Sequence, residues 1–252
     1  MEKERINKFI SSCTEISRRE ADRLIIDGKV KLNGKVITEP GVSVSSSDKV
    51  ELDGKVLKKQ KLEYYLFHKP AGFITTKSDE KSRKTIYDIL PENFKILNPA
   101  GRLDKASSGL IILTNDGELL QKLTHPKIQV SKVYRVTVKG KLSDGDFYKL
   151  ANGIEIEPGQ IAYAEAELID FDKGSSTLKV TLHQGYNRQI RKMMAAINKD
   201  VLALKRVSHG TLSIAGLEKG KFRQVKKTEL KNLNIYLNKK LNALAKKTAR
   251  KN

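Results

Sequence analysis

The most constraining stretch of this chain is a loop that carries one acid between two glycines and then runs directly into apolar residues. It reads Gly101-Arg102-Leu103-Asp104-Lys105-Ala106-Ser107-Ser108-Gly109, then Leu110-Ile111-Ile112-Leu113, closed by Thr114-Asn115-Asp116-Gly117. The apolar run, bounded by turn residues, predicts a buried strand, so the loop sets the carboxylate of Asp104 at the lip of a sheet. That acid stands in a chain with 49 Lys+Arg against 29 Asp+Glu and a formal charge of +20, a surface built to hold phosphate. A lone acid in a basic groove points to chemistry on nucleic acid.

At 252 residues the chain can bury one large core and one small one, and two domains are expected. The excess charge is spread along the sequence rather than gathered in a tail, the footprint of RNA or DNA binding. Cys13 is the single cysteine and excludes an internal disulfide. His68, His125, His183 and His209 lie far apart and lack metal-ligand spacing. No metal is expected, and the thiol usage predicts a cytoplasmic protein. The opening Met1-Glu2-Lys3-Glu4-Arg5 has no apolar signal core. No run approaches the roughly 18 apolar residues of a membrane span, so secretion and membrane insertion are not expected.

Ile6, Phe9, Ile10 and Cys13 recur at helical spacing, and Ser17-Arg18-Arg19-Glu20 has the form of a capping box opening a second helix buried through Ala21, Leu24 and Ile25. Gly28 stops it. A hairpin follows over Lys29–Val36, with Asn33-Gly34 supplying the positive φ angles of its turn. Arg18, Arg19, Arg23, Lys29, Lys31 and Lys35 occupy exposed positions of this unit and are expected to share one cationic face suited to structured RNA. A turn over Ser45–Asp48 leads into a strand at 49–52. A lysine-rich connector is expected over 54–61.

Beyond it, strands are predicted at 62–67, 73–76, 109–114, 132–138, 161–170, 176–183 and 201–207, and helices at 116–123, 143–151 and 188–197. This is an α+β pattern with a mixed, largely antiparallel sheet and flanking helices. The expected division is a small RNA-binding domain over 1–53, the connector over 54–61, a catalytic domain over 62–237 and a basic tail over 238–252. In that tail Leu241, Leu244 and Ala245 favour a marginal helix, and mobility is expected in the absence of RNA.

Four segments in order resemble one enzyme family: Leu66-Phe67-His68-Lys69-Pro70-Ala71-Gly72, the Gly101-to-Gly117 stretch, Lys132-Val133-Tyr134-Arg135-Val136, and Gly185-Tyr186-Asn187-Arg188-Gln189-Ile190-Arg191-Lys192-Met193. With Leu204-Lys205-Arg206 and Gly210 they are similar to the bacterial rRNA pseudouridine synthases. Residues 4–53 resemble the alpha-L RNA-binding motif named after a small-subunit ribosomal protein. The resemblance runs to about Leu230, and the Gly-Arg-Leu-Asp loop with its strand is its most specific part.

The resemblance implies a pseudouridine synthase fold and the isomerisation of a uridine in ribosomal RNA, in which the base is detached from the ribose, turned and reattached through carbon. That reaction needs a nucleophile, a means of holding the loose base and a group that removes a proton, but no cofactor. By resemblance Asp104 is the nucleophile, toward either the sugar or the base. Arg191 is the arginine that pairs with it, a fixed fork suited to a carboxylate. Tyr134 lies against the base and is the family's candidate for proton removal. Arg102 braces either the loop or the turned-out nucleotide, Leu204 lines the pocket and Arg188 contacts substrate phosphate.

His68 and His125 stand at a strand end and in a turn, where structural roles are expected. Asp116-Gly117-Glu118 is expected to start a helix. The stretches Lys69–Thr76 and Leu123-Thr124-His125-Pro126 look like the large-subunit rRNA branch, with small-subunit rRNA as the alternative, and a monomer is expected. A non-catalytic RNA-binding or ribosome-assembly factor would share the basic surface but would have no use for the Asp104, Tyr134 and Arg191 set. A methyltransferase would require a glycine-rich donor loop after a strand, and none is found.

Overall fold

The computed structural model describes residues 3–249. Its N-terminal unit begins with helix α1 (Ile6–Cys13), which buries Ile6, Phe9, Ile10 and Cys13, the four residues at helical spacing. Helix α2 (Arg18–Ile26) buries Ala21 and Ile25 against the same core. Only half of the expected capping box forms: the Ser17 side chain accepts from Glu20 N at 3.2 Å, while the Glu20 side chain reaches Arg23 instead. Gly28 ends the helix at φ +69°, and Asn33 and Gly34, at φ +52° and +83°, turn the hairpin Val30–Leu32 with Lys35–Ile37.

The connector expected from residue 54 begins as sheet. Lys55–Val56 pairs antiparallel with Glu51–Leu52, because Asp53 and Gly54 adopt φ +48° and +76° and make a second tight turn. Leu57 then packs on the N-terminal core.

The larger unit is built on a nine-stranded sheet. Its strands run Glu165–Asp172, Ser175–Leu182, Lys132–Lys139, Val201–His209, Ser108–Thr114, Tyr64–Lys69 and Phe222–Gln224, with two short strands off this path. Two antiparallel halves meet at one parallel junction, where Ser108 and Gly109 pair with Lys205 and Arg206. The apolar run Leu110–Leu113 has no polar alternation because both of its faces are covered. Ile111 and Leu113 join the core beneath α4 (Asp144–Asn152) and α5 (Gln189–Ala196), whereas Leu110 and Ile112 join the one beneath α3 (Gly117–Thr124) and α6 (Lys227–Ala249). Asp116 caps α3, accepting from Glu118 N and Leu119 N at 3.0 Å each.

Three expectations are corrected. Residues 73–76 form no strand beyond one bridge from Ile74 to Thr85, since the Thr75 side chain turns into the Asp104 loop. The strand expected at 161–170 is split, because Tyr163 N donates to the Gln184 side chain and Ala164 N to Leu150 O. Residues 238–249 are not a separate tail but the second half of α6. Leu233 and Leu237 are buried there, and Leu241 and Leu244 continue their stripe along the same core. Residues 250–252 of the expected tail lie outside the described residues.

Candidate active site

The loop that carries Asp104 is fixed from two sides. Lys69, fully buried at the end of its strand, donates from Nζ to three main-chain oxygens, of Pro70 at 3.1 Å, Asp104 at 3.1 Å and Ser107 at 2.7 Å. Thr75 clamps the other side, its hydroxyl donating to Leu103 O at 3.1 Å and accepting from Leu103 N at 3.2 Å. Burial pulls the Lys69 ammonium down to about 8, and the charge of Asp104 opposes that shift. The Lys-Pro-Ala-Gly motif thus supplies the strut under the acid.

The parallel junction positions the opposite wall. Gly109 stands at φ +117°, and a Cβ there would collide with the backbone O and N of Arg206. Only glycine lets the two strands approach so closely. The register then places Leu204 across from Val136 and Arg206 across from Tyr134, with the buried Tyr134 and Leu204 presented beside the loop.

A cavity of about 360 Å³ opens here, bounded by Asp104, Tyr134, Ile190 and Leu204, with Arg102 and Arg188 at its edge. A second cavity of about 570 Å³ lies along Thr75, Thr76, Ser78, Arg83, Lys105 and Asn187. Gly101–Asp104, Gly185, Tyr186 and Arg188 wall both, so the carboxylate stands on the lip between a partly apolar pocket and a basic groove. Arg188 holds the left-handed conformation at φ +51° as it leads into α5. Gln189, buried behind it, accepts from Tyr186 N at 3.2 Å and donates to Tyr163 O at 3.4 Å, tying down that part of the rim.

Arg191 is brought near Asp104 but not onto it. Its Nη1 donates to Val201 O at 3.4 Å, its Nε has no partner, and the direct ion pair with Asp104 is not formed within 4.0 Å. Burial lowers its pKa, Arg188 adds to the effect and Asp104 opposes it. The arginine is therefore held in reserve, within electrostatic reach of the acid.

On the N-terminal unit Arg18, Arg19, Arg23, Lys29, Lys31 and Lys35 are all exposed. They do not share one face: Lys31 pairs across the hairpin with Val36, while Lys35 pairs with Leu32, which puts the two lysines on opposite sides of the ribbon. His68 is buried with Nδ1 on Leu217 O at 2.8 Å, and burial lowers its pKa, so it is a structural group. His125 accepts from Lys127 N at 3.2 Å and caps a short turn, yet it also borders the pocket. Sequence reasoning gave no role to Lys69 or Thr75. The signal for Lys69 is a charged residue two positions past the apolar Leu66-Phe67, at the end of a strand that must be buried.

Comparison with known proteins agrees with this geometry. The RNA pseudouridylate synthase family matches residues 63–196 and the S4 domain matches residues 4–50. The ribosomal large subunit pseudouridine synthase B of Bacillus subtilis is 42% identical over 232 residues, covering 91% of this chain and 95% of that protein. The chain belongs to the RNA pseudouridine synthase family. An RNA pseudouridine synthase of Aquifex aeolicus is 36% identical to this synthase over 231 residues, covering 91% of this chain and 93% of that one. A crystal structure of a pseudouridylate synthase superposes on the synthase with a TM-score of 0.67 at 27% identity, covering 91% of this chain and 99% of that one. Among the described residues no helix is long and apolar enough to cross a membrane.

Proposed function

We propose that this synthase converts one uridine of large-subunit ribosomal RNA to pseudouridine in the cytoplasm, acting as a monomer with Asp104 as its nucleophile. The observation that carries the reading is the position of Asp104 on the lip between the basic groove and the pocket of Tyr134 and Leu204. The B. subtilis relative, named for the large ribosomal subunit and aligned over most of both chains, supports the choice of RNA.

In the reaction the bond from ribose C1′ to uracil N1 breaks, a bond from C1′ to C5 forms, C5 loses its proton and N1 gains one. A base stacked in folded RNA is out of reach of a carboxylate on a protein surface, so the nucleotide turns out at a cost of a few kcal/mol. The basic groove, Arg188 and the exposed cations of residues 1–53 supply the binding energy that offsets this cost. Asp104 attacks sugar or base. The Tyr134 ring and Leu204 hold the freed base between them while it turns, and Tyr134 is the group that takes the C5 proton in this reading. Arg191, within electrostatic reach of the aspartate, offsets its charge, and Arg102 steadies the loop or the nucleotide. The division of labour places RNA docking in residues 1–53, catalysis in 62–237 and further phosphate contact in the basic second half of α6.

Asp104→Asn removes the nucleophile but only one charge from a strongly cationic surface. Tritium release from rRNA labelled at uracil C5 is expected to fall to background in this variant, while RNA affinity stays within about threefold. Parallel loss of affinity and activity would contradict the assignment.

A further inference from the structure

The pocket continues past Tyr134 to a floor that the reaction above does not use. Three basic side chains meet there: Lys132, Arg206 and His209. Arg206 and His209 are 2% and 1% exposed. Each of the three is tethered to the scaffold by one bond to a main-chain carbonyl: Arg206 Nε to Leu110 O at 2.7 Å, Lys132 Nζ to Val130 O at 3.1 Å, and His209 Nε2 to Leu123 O at 3.3 Å. The rest of each head is unspent, and Arg206 Nη2 and His209 Nδ1 are buried with no partner at all. Asp104 is the one carboxylate among the residues that line the cavity.

A purely structural arginine tying down Leu110 accounts for Nε but not for the remainder of a buried guanidinium. Buried charge without a counter-charge is costly, and neutral carbonyls do not offset it. Burial with the nearby Arg206 holds Lys132 down at about 8, and burial, Arg206 and Lys132 together push His209 far below its ordinary value. A bound anion would reverse these effects. We propose that Lys132, Arg206 and His209 form a second subsite, which takes the phosphodiester adjoining the target uridine. This rests on the reading that the pocket receives a turned-out nucleotide. Such a nucleotide brings a phosphate on each side, and the guanidinium and ammonium heads match its oxygens. Seating one of them would fix the ribose relative to Asp104 before the base detaches.

The test uses synthetic RNA spanning the modified uridine, with a single neutral methylphosphonate on either side of that uridine, and both wild-type protein and Lys132→Met. One of the two neutral linkages is expected to lower kcat/KM of the wild type about tenfold, the scale of one charge-assisted hydrogen bond. Lys132→Met is expected to show a loss on unmodified RNA and a smaller further loss on the neutral linkage than the wild type shows. If both neutral linkages cost the wild type less than about twofold, the subsite is overturned without any appeal to a variant. A Lys132→Met defect that leaves the wild-type penalty intact also overturns it, and assigns the charge to the departing base. Failure of the wild type to form pseudouridine in unmodified RNA would overturn the underlying reading, and the subsite with it.

Discussion

Lys69 shows how much a single side chain contributes to this site. Its ammonium collects three main-chain oxygens beneath the Asp104 loop, and no solvent reaches it. Lys69→Met leaves those oxygens unsatisfied and is expected to cost about 2–4 kcal/mol of stability in urea unfolding, with activity falling more than RNA affinity. Unchanged stability would show that the loop holds itself. Lys132 behaves differently, because it has only one carbonyl partner. Its folded-state pKa, about 8, lies below the ordinary 10.5, so free protein bears the cost of its buried charge in full below pH 8. As pH rises from 8 to 10.5 the folded state releases its proton first, and the cost fades. Lys132→Met is therefore expected to melt above wild type at pH 7, with the gap closing toward pH 10. A gap that widens with pH would reverse the sign. Asp104, Tyr134 and Leu204 stand in local motifs that a family resemblance marks, and the fold brings the three to one cavity. The positions of Lys69, Arg206 and His209 are not legible in the same way, since they depend on partners 35 to 96 residues away that meet only in the fold.

At the level of elements, the site depends on the parallel junction between Ser108–Thr114 and Val201–His209. Gly109→Ala would drive a methyl group into the Arg206 backbone at a φ that disfavours any side chain. The expected loss is about 3 kcal/mol or more, together with activity, measured by thermal unfolding and tritium release. Retained stability would mean that the strands can part without harm. Turns announced by Asn33-Gly34 and helices with apolar faces were readable because local chemistry decides them. Asp53-Gly54 carries the same signal, but its lysine-rich flank masks it, and Lys55–Val56 reads as connector where the fold makes a strand. The parallel pair could not be read from the sequence. Strand propensity is silent on direction, and the partners lie about a hundred residues apart. The continuity of α6 is hidden for a related reason: the lysines of its second half mask the leucine stripe that runs through both halves.

In the whole molecule, the net charge of +20 is spread along the chain, and it includes six exposed candidate cations on the N-terminal unit and the cations of the groove beside Asp104. Removal of residues 1–57, which includes the extra strand Lys55–Val56, is expected to weaken RNA binding and flatten its dependence on salt, because fewer phosphates are neutralised. The remaining chain is expected to keep its sheet by circular dichroism. An unfolded remainder would show that the two units depend on each other. The account as a whole is tested most directly by carbodiimide mapping of pseudouridine across both large ribosomal RNAs in a deletion strain carrying either the wild-type chain or Asp104→Asn. One large-subunit site restored by the wild type alone is the predicted result. No missing site in the deletion strain, or a site that Asp104→Asn restores equally, would contradict it.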